Sequence, residues 1–63
     1  MRTLIRAHAC EIELGDRVSF VDDHGEQSQI EARRLTRDCG VVHVWETARV
    51  VSFPAMYPVE VLR

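Results

Sequence analysis

Apolar residues occur in this chain only in short runs, and each run ends at residues that favour turns. In "IELGDRVSFVDDHG" (residues 12–25), one apolar run ends at Gly15-Asp16 and a second ends at Asp22-Asp23-His24-Gly25. Short runs of β-branched and aromatic residues, bounded by glycine, proline or aspartate, are typical of β-strands joined by tight turns. The pattern therefore predicts an all-β fold.

The length of 63 residues allows one domain, which we expect to cover residues 1–63. About five or six short strands are too few for a large two-layer sandwich, but one strongly bent sheet can close on itself. The predicted fold is a small, mostly antiparallel, SH3-like β-barrel or roll of about five strands. A core in so short a chain seldom contributes more than about 3–5 kcal/mol. A homodimer that pairs exposed edge strands is therefore an open alternative to a monomer.

The first strand is predicted to cover residues 3–9 and to continue through residues 10–14. The alternation changes register between these two parts, so a bulge near Ala9-Cys10 is needed to keep both apolar sets on the inner face. A second strand covers residues 17–21, and a turn follows at residues 22–25. The inward-facing side chains expected from these strands are Ile5, Ala7, Ile12, Leu14, Val18 and Phe20.

Residues 26–37, "EQSQIEARRLTR", contain good helix formers and are followed by Gly40, which suits the C-terminal end of a helix. The apolar positions Ile30, Ala32 and Leu35 do not form a helical stripe. As a strand, Ile30 and Ala32 share a face, and one bulge brings Leu35 back to it. We therefore favour a strand, with an α+β fold containing one short helix near residues 26–37 as the alternative.

The C-terminal half contains the strongest strand pattern of the chain. Asp38-Cys39-Gly40 is a turn signal, and "VVHVWET" (residues 41–47) is rich in β-branched and aromatic residues. If Val42 and Val44 point into the core, then Val41, His43 and Trp45 share the opposite face. Further strands are predicted at residues 48–53 and 59–62, joined by a connection between Pro54 and Pro58.

The face with Val41, His43 and Trp45 is the predicted partner-binding site. Tryptophan and arginine are enriched at the centres of protein interfaces, so a protein partner is the main prediction. An alternative is a nucleic-acid site in which Arg33, Arg34 and Arg37 accompany Trp45. A nucleic-acid binder usually has a basic excess, whereas the net charge here is −2, so this alternative is not favoured. A third alternative is that the face is covered and belongs to the core.

Metal binding and catalysis are not expected. His8, Cys10, Cys39 and His43 could supply zinc ligands, but their spacing differs from the paired cysteines of structural zinc sites. Asp22-Asp23-His24-Gly25-Glu26 has neither the ordered oxygen ligands of a calcium loop nor a positioned partner for acid–base work. We interpret it as a polar hairpin turn, and we predict no enzyme activity and no cofactor.

The location of the protein is predicted from two features of the sequence. No apolar run approaches the length of about 20 residues that a membrane span requires, so no membrane association is expected. Cys10 and Cys39 occur without a recognisable secretion signal, which predicts reduced thiols in a cytoplasm.

Three stretches resemble small SH3-like β-barrel proteins of unknown function, of the kind encoded by phages and GC-rich bacteria. They are "IRAHACEIELGDRVSF", "GVVHVWET" and "FPAMYPVEVLR". The shared elements are a Gly-Asp-Arg turn into a strand, a Phe-Pro step and a closing Pro-Val-Glu-Val strand. The resemblance implies a barrel and no activity, and it transfers no site residue. With the exposed-face argument it leads to the expectation of a non-enzymatic interaction module, an accessory protein of a phage or mobile element.

Overall fold

The computed structural model describes residues 3–63; Met1 and Arg2 of the predicted domain lie outside the described residues. Within that range the fold is all-β, with no α-helix and no helix able to cross a membrane. One turn of 3₁₀-helix covers Ala9–Glu11. The strands are β1 (Leu4–His8), β2 (Arg17–Val21), β3 (Gln27–Glu31), β4 (Arg34–Asp38), β5 (Val41–Glu46), β6 (Arg49–Pro54) and β7 (Pro58–Leu62).

The strands form two antiparallel sheets that share one hydrophobic core. The first sheet has the order β1-β7-β2-β3, and the second has the order β4-β5-β6. Alternate side chains of each strand point inward, as the period of two requires. The core takes residues from both sheets: Ala9, Ile12, Val18, Phe20, Ile30, Ala32, Val42, Val44, Phe53, Val59 and Val61.

Strands β3 and β4 meet at a bend where the chain passes from one sheet to the other. Ala32, at this bend, is completely buried, and its N–H donates to the carbonyl oxygen of Asp16 (2.8 Å). The N–H of Gly15 in turn donates to the carbonyl oxygen of Ala32 (2.8 Å). The bend divides the predicted strand at residues 26–37, which is why the structure has more strands than expected from the sequence.

The helical alternative for residues 26–37 is wrong. Ile30 and Ala32 are buried on the same side of the chain, and Leu35 packs partly buried against the core. The apolar positions in this segment therefore follow the alternation of an extended chain rather than a helical stripe. The two sheets each impose a strand conformation, and this tertiary pairing overrides the helix propensity of glutamate and arginine.

The predicted strand at residues 10–14 is also wrong. The chain leaves β1 through the 3₁₀ turn, which buries Ile12, but Leu14 is 68% exposed rather than inward-facing. The N–H of Asp16 donates to the carbonyl oxygen of Glu13 (3.1 Å), and Gly15 has φ of 91°. This tight turn places Leu14 at its tip, so its side chain cannot reach the core.

The side chain of Asp16 is buried in this turn and makes charged contacts. Its exposure is 2%, and its Oδ2 accepts hydrogen bonds from the N–H of Glu13 (2.9 Å) and from the guanidinium of Arg63 (3.0 Å). The Nε of Arg63 donates to Oδ1 at 3.2 Å. A buried carboxylate is tolerated only when such partners replace water. Asp16 therefore joins the loop before β2 to the end of β7.

The turns predicted at residues 22–25 and 38–40 are confirmed. Oδ1 of Asp22 accepts the N–H groups of His24 and Glu26, both at 2.9 Å. Cys39 and Gly40 form the two-residue loop between β4 and β5, with φ values of 50° and 76°. Two positive φ values are the requirement of the type I′ hairpin turn.

We predict that Asp16→Ala lowers the free energy of unfolding by about 2–3 kcal/mol, because it removes at least three hydrogen bonds and the buried counter-ion of Arg63. Urea unfolding followed by circular dichroism measures this. Asp23→Ala, at an exposed position of the hairpin turn, is the matched control and should stay within about 0.5 kcal/mol of wild type. Equal stability of the two variants would contradict the role assigned to Asp16.

We predict that Cys39→Asn raises the free energy of unfolding by about 0.5–1 kcal/mol. Asparagine adopts positive φ at a lower cost than other non-glycine residues, and Asn-Gly is the preferred type I′ sequence. Thermal unfolding under reducing conditions measures the change. Cys10→Asn, at the other exposed cysteine, controls for loss of a thiol and should bring no gain.

Candidate functional site

The solvent-facing side of the three-stranded sheet is an ordered array of side chains, which we call the outer face. Strand pairing places Arg34 beside Trp45 and Trp45 beside Val50. These three residues form one row across β4, β5 and β6, and two further rows lie parallel to it along the strands. In full, the rows are Arg34-Trp45-Val50, Thr36-His43-Ser52 and Asp38-Val41-Pro54.

The three predicted site residues all lie on this outer face. Val42 and Val44 are 1% and 0% exposed and belong to the core, so the alternating side chains of β5 point to the other side of the sheet. Val41, His43 and Trp45 are each partly exposed. Side chains of the neighbouring strands contact two of them: Ser52 contacts His43, and Thr36 contacts Trp45.

The indole of Trp45 is held by contacts with β4. Its Nε1 donates a hydrogen bond to Oγ1 of Thr36 (3.1 Å). The guanidinium carbon of Arg34 lies 4.9 Å from the ring centroid, a distance at which a cation is attracted by the ring face. Val50, next to Trp45 on the other side, is 43% exposed. The ring thus has a defined orientation on an accessible, partly apolar surface.

His43 has a hydrogen-bonded serine beside it, which the sequence analysis did not identify. Nδ1 of His43 and Oγ of Ser52 are 2.6 Å apart across β5 and β6. A serine next to a histidine is a minimal arrangement for an activated hydroxyl, but catalysis also needs a third group that orients the base. No carboxylate bonds to His43 within residues 3–63, and the pair lies on an open sheet face.

The three arginines of the nucleic-acid alternative do not come together. Arg34 is on the outer face against Trp45. Arg33 pairs with Glu31, with Nε 3.0 Å from the carboxylate. Arg37 lies in register with Val42, hence on the opposite side of β4, and it donates to the carbonyl oxygen of Cys10 (3.2 Å). Of the three guanidinium groups, that of Arg34 is the one that contacts the Trp45 ring.

The two histidines among the candidate zinc ligands lie on different sheets. His8 contacts Glu11 at the first sheet, with Nδ1 3.1 Å from the carboxylate, whereas His43 contacts Ser52 on the second. Cys10 and Cys39 are free and exposed. Among residues 3–63, no group of three or more His, Cys, Asp or Glu side chains is arranged to hold a metal ion.

A groove of roughly 500 Å³ on the first sheet was not predicted. Strands β2 and β7 pair only from Arg17 to Ser19 and then diverge. Pro58, which would continue this ladder, has no N–H to donate. The groove is lined by groups that include His8, Glu11 and Tyr57. The N–H and imidazole of His8 hydrogen-bond the carboxylate of Glu11 and lower its pKa.

We predict a pH dependence of stability from this lowered pKa of Glu11. A carboxyl group whose folded-state pKa is depressed adds stability above its unfolded pKa of about 4.3, and this contribution is lost as the pH falls through the folded-state pKa. Urea unfolding measures the free energy of unfolding at pH 5 and at pH 2.5. The decrease between the two pH values should therefore be smaller for Glu11→Gln than for wild type. Glu26→Gln, in the exposed hairpin turn, should retain the wild-type loss; identical losses in all three proteins would contradict the assignment.

Comparisons with known proteins do not add a relative to these observations. No protein-family model matches the chain, and neither the curated proteins nor the solved structures include a match. The function is therefore proposed from the geometry of the outer face.

Proposed function

We propose that this protein is a non-enzymatic interaction module that binds a partner protein through the outer face. The observation that carries the proposal is the position of Trp45, which lies on the solvent side of the central strand with its ring oriented by Thr36 and Arg34. The residues proposed to make contact are Val41, His43 and Trp45. The two exposed free cysteines are compatible with a reducing cytoplasm, which we propose as the location.

The energetics of binding favour a tryptophan held in this way. Binding lowers the conformational entropy of each mobile side chain that becomes fixed at an interface. The hydrogen bond to Thr36 and the contact with Arg34 already restrict Trp45, so this entropy loss is smaller. Tryptophan and arginine are also the residues most often found at the energetic centre of protein interfaces. Val50 extends the apolar area beside Trp45, and Val41 adds an apolar group at the far end of β5, beyond His43.

A protein partner is better supported than a nucleic acid. Binding to a phosphate backbone usually requires several basic groups on one surface. The outer face has one arginine, Arg34, and an acidic residue, Asp38, and the whole chain carries a net charge of −2. The guanidinium of Arg34 also lies over the Trp45 ring, the surface on which a base would stack.

We also propose that the two sheets are parts of one SH3-like barrel. The continuous bend from β3 to β4 supports this, because one chain segment serves both sheets. The N–H of Cys10, just after β1, donates to the carbonyl oxygen of Ala55, just after β6 (2.9 Å). Since β1 and β6 are the two ends of the combined strand order, this bond draws the outermost strands towards each other.

We predict that Trp45→Ala abolishes retention of the partner when the immobilised protein is used to capture proteins from an extract of its native cells. Val50→Asp, which alters an exposed residue of the same face, should have the same effect with less influence on folding. The matched control is Leu4→Ala, since Leu4 is 58% exposed on β1 of the other sheet. Circular dichroism establishes that each variant is folded. Undiminished capture by folded Trp45→Ala and Val50→Asp would refute the proposed site.

A further inference from the structure

The outer face is complementary to itself. Its first row contains a cation, a large aromatic ring and an aliphatic side chain; its third row contains an anion and two apolar side chains. The middle row, Thr36-His43-Ser52, is polar throughout. A twofold axis can be placed in the plane of the face, perpendicular to β5 and through His43. Rotation by 180° about this axis exchanges the first row with the third. Each row of one molecule would then face its complement in a second molecule.

We propose that the partner bound by the outer face is a second copy of this chain, packed face to face about that twofold axis. This inference rests on the proposed function, because it names the partner of the same site. Closed twofold assemblies in which the same patch is used by both subunits are the commonest form of protein oligomer.

The charges match at both ends of the face. Arg34 and Asp38 are both exposed and lie at opposite ends of β4 on the same side. The twofold rotation places Arg34 of one copy opposite Asp38 of the other, and it does so twice, once at each end. Opposite charges placed across an interface favour one register and penalise others, which is the basis of specificity in such contacts.

The apolar groups match in the same arrangement. Trp45 of one copy faces Val41 of the other, and Val50 faces Pro54. The middle row meets its own counterpart, so that hydroxyl and imidazole groups face hydroxyl and imidazole groups. Sheets that pack face to face keep their strands within about 30° of each other, which is compatible with the antiparallel alignment of β5 that this axis produces.

The other twofold axis available in the plane is less favourable. An axis parallel to β5 would exchange β4 with β6 and leave each row in place. Arg34 would then lie opposite Val50, and Asp38 opposite Pro54, so that both charges would lose water without gaining a counter-ion. Removing a charge from water without a partner is costly. The charge pattern therefore selects the axis perpendicular to β5.

The size of the face predicts a weak dimer. Three strands about 4.8 Å apart and five residues about 3.4 Å apart give a planar footprint of about 240 Å². Stable complexes bury about 800 Å² of accessible surface on each partner. We therefore expect weak association, which should be measured from the micromolar to the millimolar range.

Sedimentation equilibrium on the full chain under reducing conditions tests the proposal. The protein concentration should run from about 10 µM to about 2 mM, because so small an interface predicts weak association. The average mass should rise from one chain towards two. Trp45 is the only tryptophan in the sequence, so its emission should shift to shorter wavelength over the same range. The reductant prevents disulfide-linked dimers through Cys10 or Cys39.

Two charge-reversal variants determine the arrangement. Arg34→Asp and Asp38→Arg should each weaken self-association at least about tenfold, because each places like charges opposite one another. A mixture of the two variants should associate again, since the acidic positions of one then face the basic positions of the other. Arg6→Asp, an exposed arginine on the other sheet, is the matched control and should dimerise like wild type.

The outcomes separate this inference from the proposed function. A wild type that remains monomeric at 2 mM overturns the self-association, and so does a mixture of the two variants that fails to associate. A dimer insensitive to both charge reversals assigns the contact to an edge strand and also overturns it. If the wild type is monomeric but Trp45→Ala and Val50→Asp still abolish capture of another protein, only the identity of the partner is wrong.

Discussion

The buried carboxylate of Asp16 is the interaction on which the rest of the structure depends. Its side chain binds the N–H of Glu13 and the guanidinium of Arg63, while its main-chain carbonyl accepts the N–H of Ala32. One short turn thus connects the loop before β2, the end of β7 and the bend between the two sheets. A charge is retained in so small a core because each lost contact with water is replaced by a donor of the protein.

The composition of the outer face follows from that bend. Strand β4 begins two residues after Ala32, and side chains alternate from there on, so the position of Ala32 decides which residues of β4 point outward. A shift of one residue would turn Leu35 to solvent and Arg34 into the core. The contacts of Arg34 and Thr36 with Trp45 therefore depend on this bend. The bend is held by the bonds of Ala32 to Gly15 and Asp16 and by the N–H of Arg33, which donates to the carbonyl oxygen of Trp45 (3.0 Å).

The candidate site was predictable from local alternation only in part. Val42 and Val44 between Val41, His43 and Trp45 identify the two faces of β5 without any knowledge of its neighbours. The partners of those residues, Thr36 and Ser52, could not be identified in the same way, because they come from strands whose register is set by the hairpin turns. The side chains of Arg33, Arg34 and Arg37 are close in sequence but point in different directions. Arg33 lies in the bend before β4, and side chains alternate between the two sides of β4, so Arg34 and Arg37 lie on opposite sides.

Local patterns in the sequence determined the all-β class, the hairpin turns and the inward set of valines, since these depend on side-chain volume, φ preference and a period of two over a few residues. The tertiary structure decided where Leu14 lies, how residues 26–37 divide between the two sheets, and which side chains surround Trp45. Each of these depends on contacts between segments distant in sequence. The bond of Asp16 to Arg63 is the clearest case, because it joins residues that no short window of the sequence contains together.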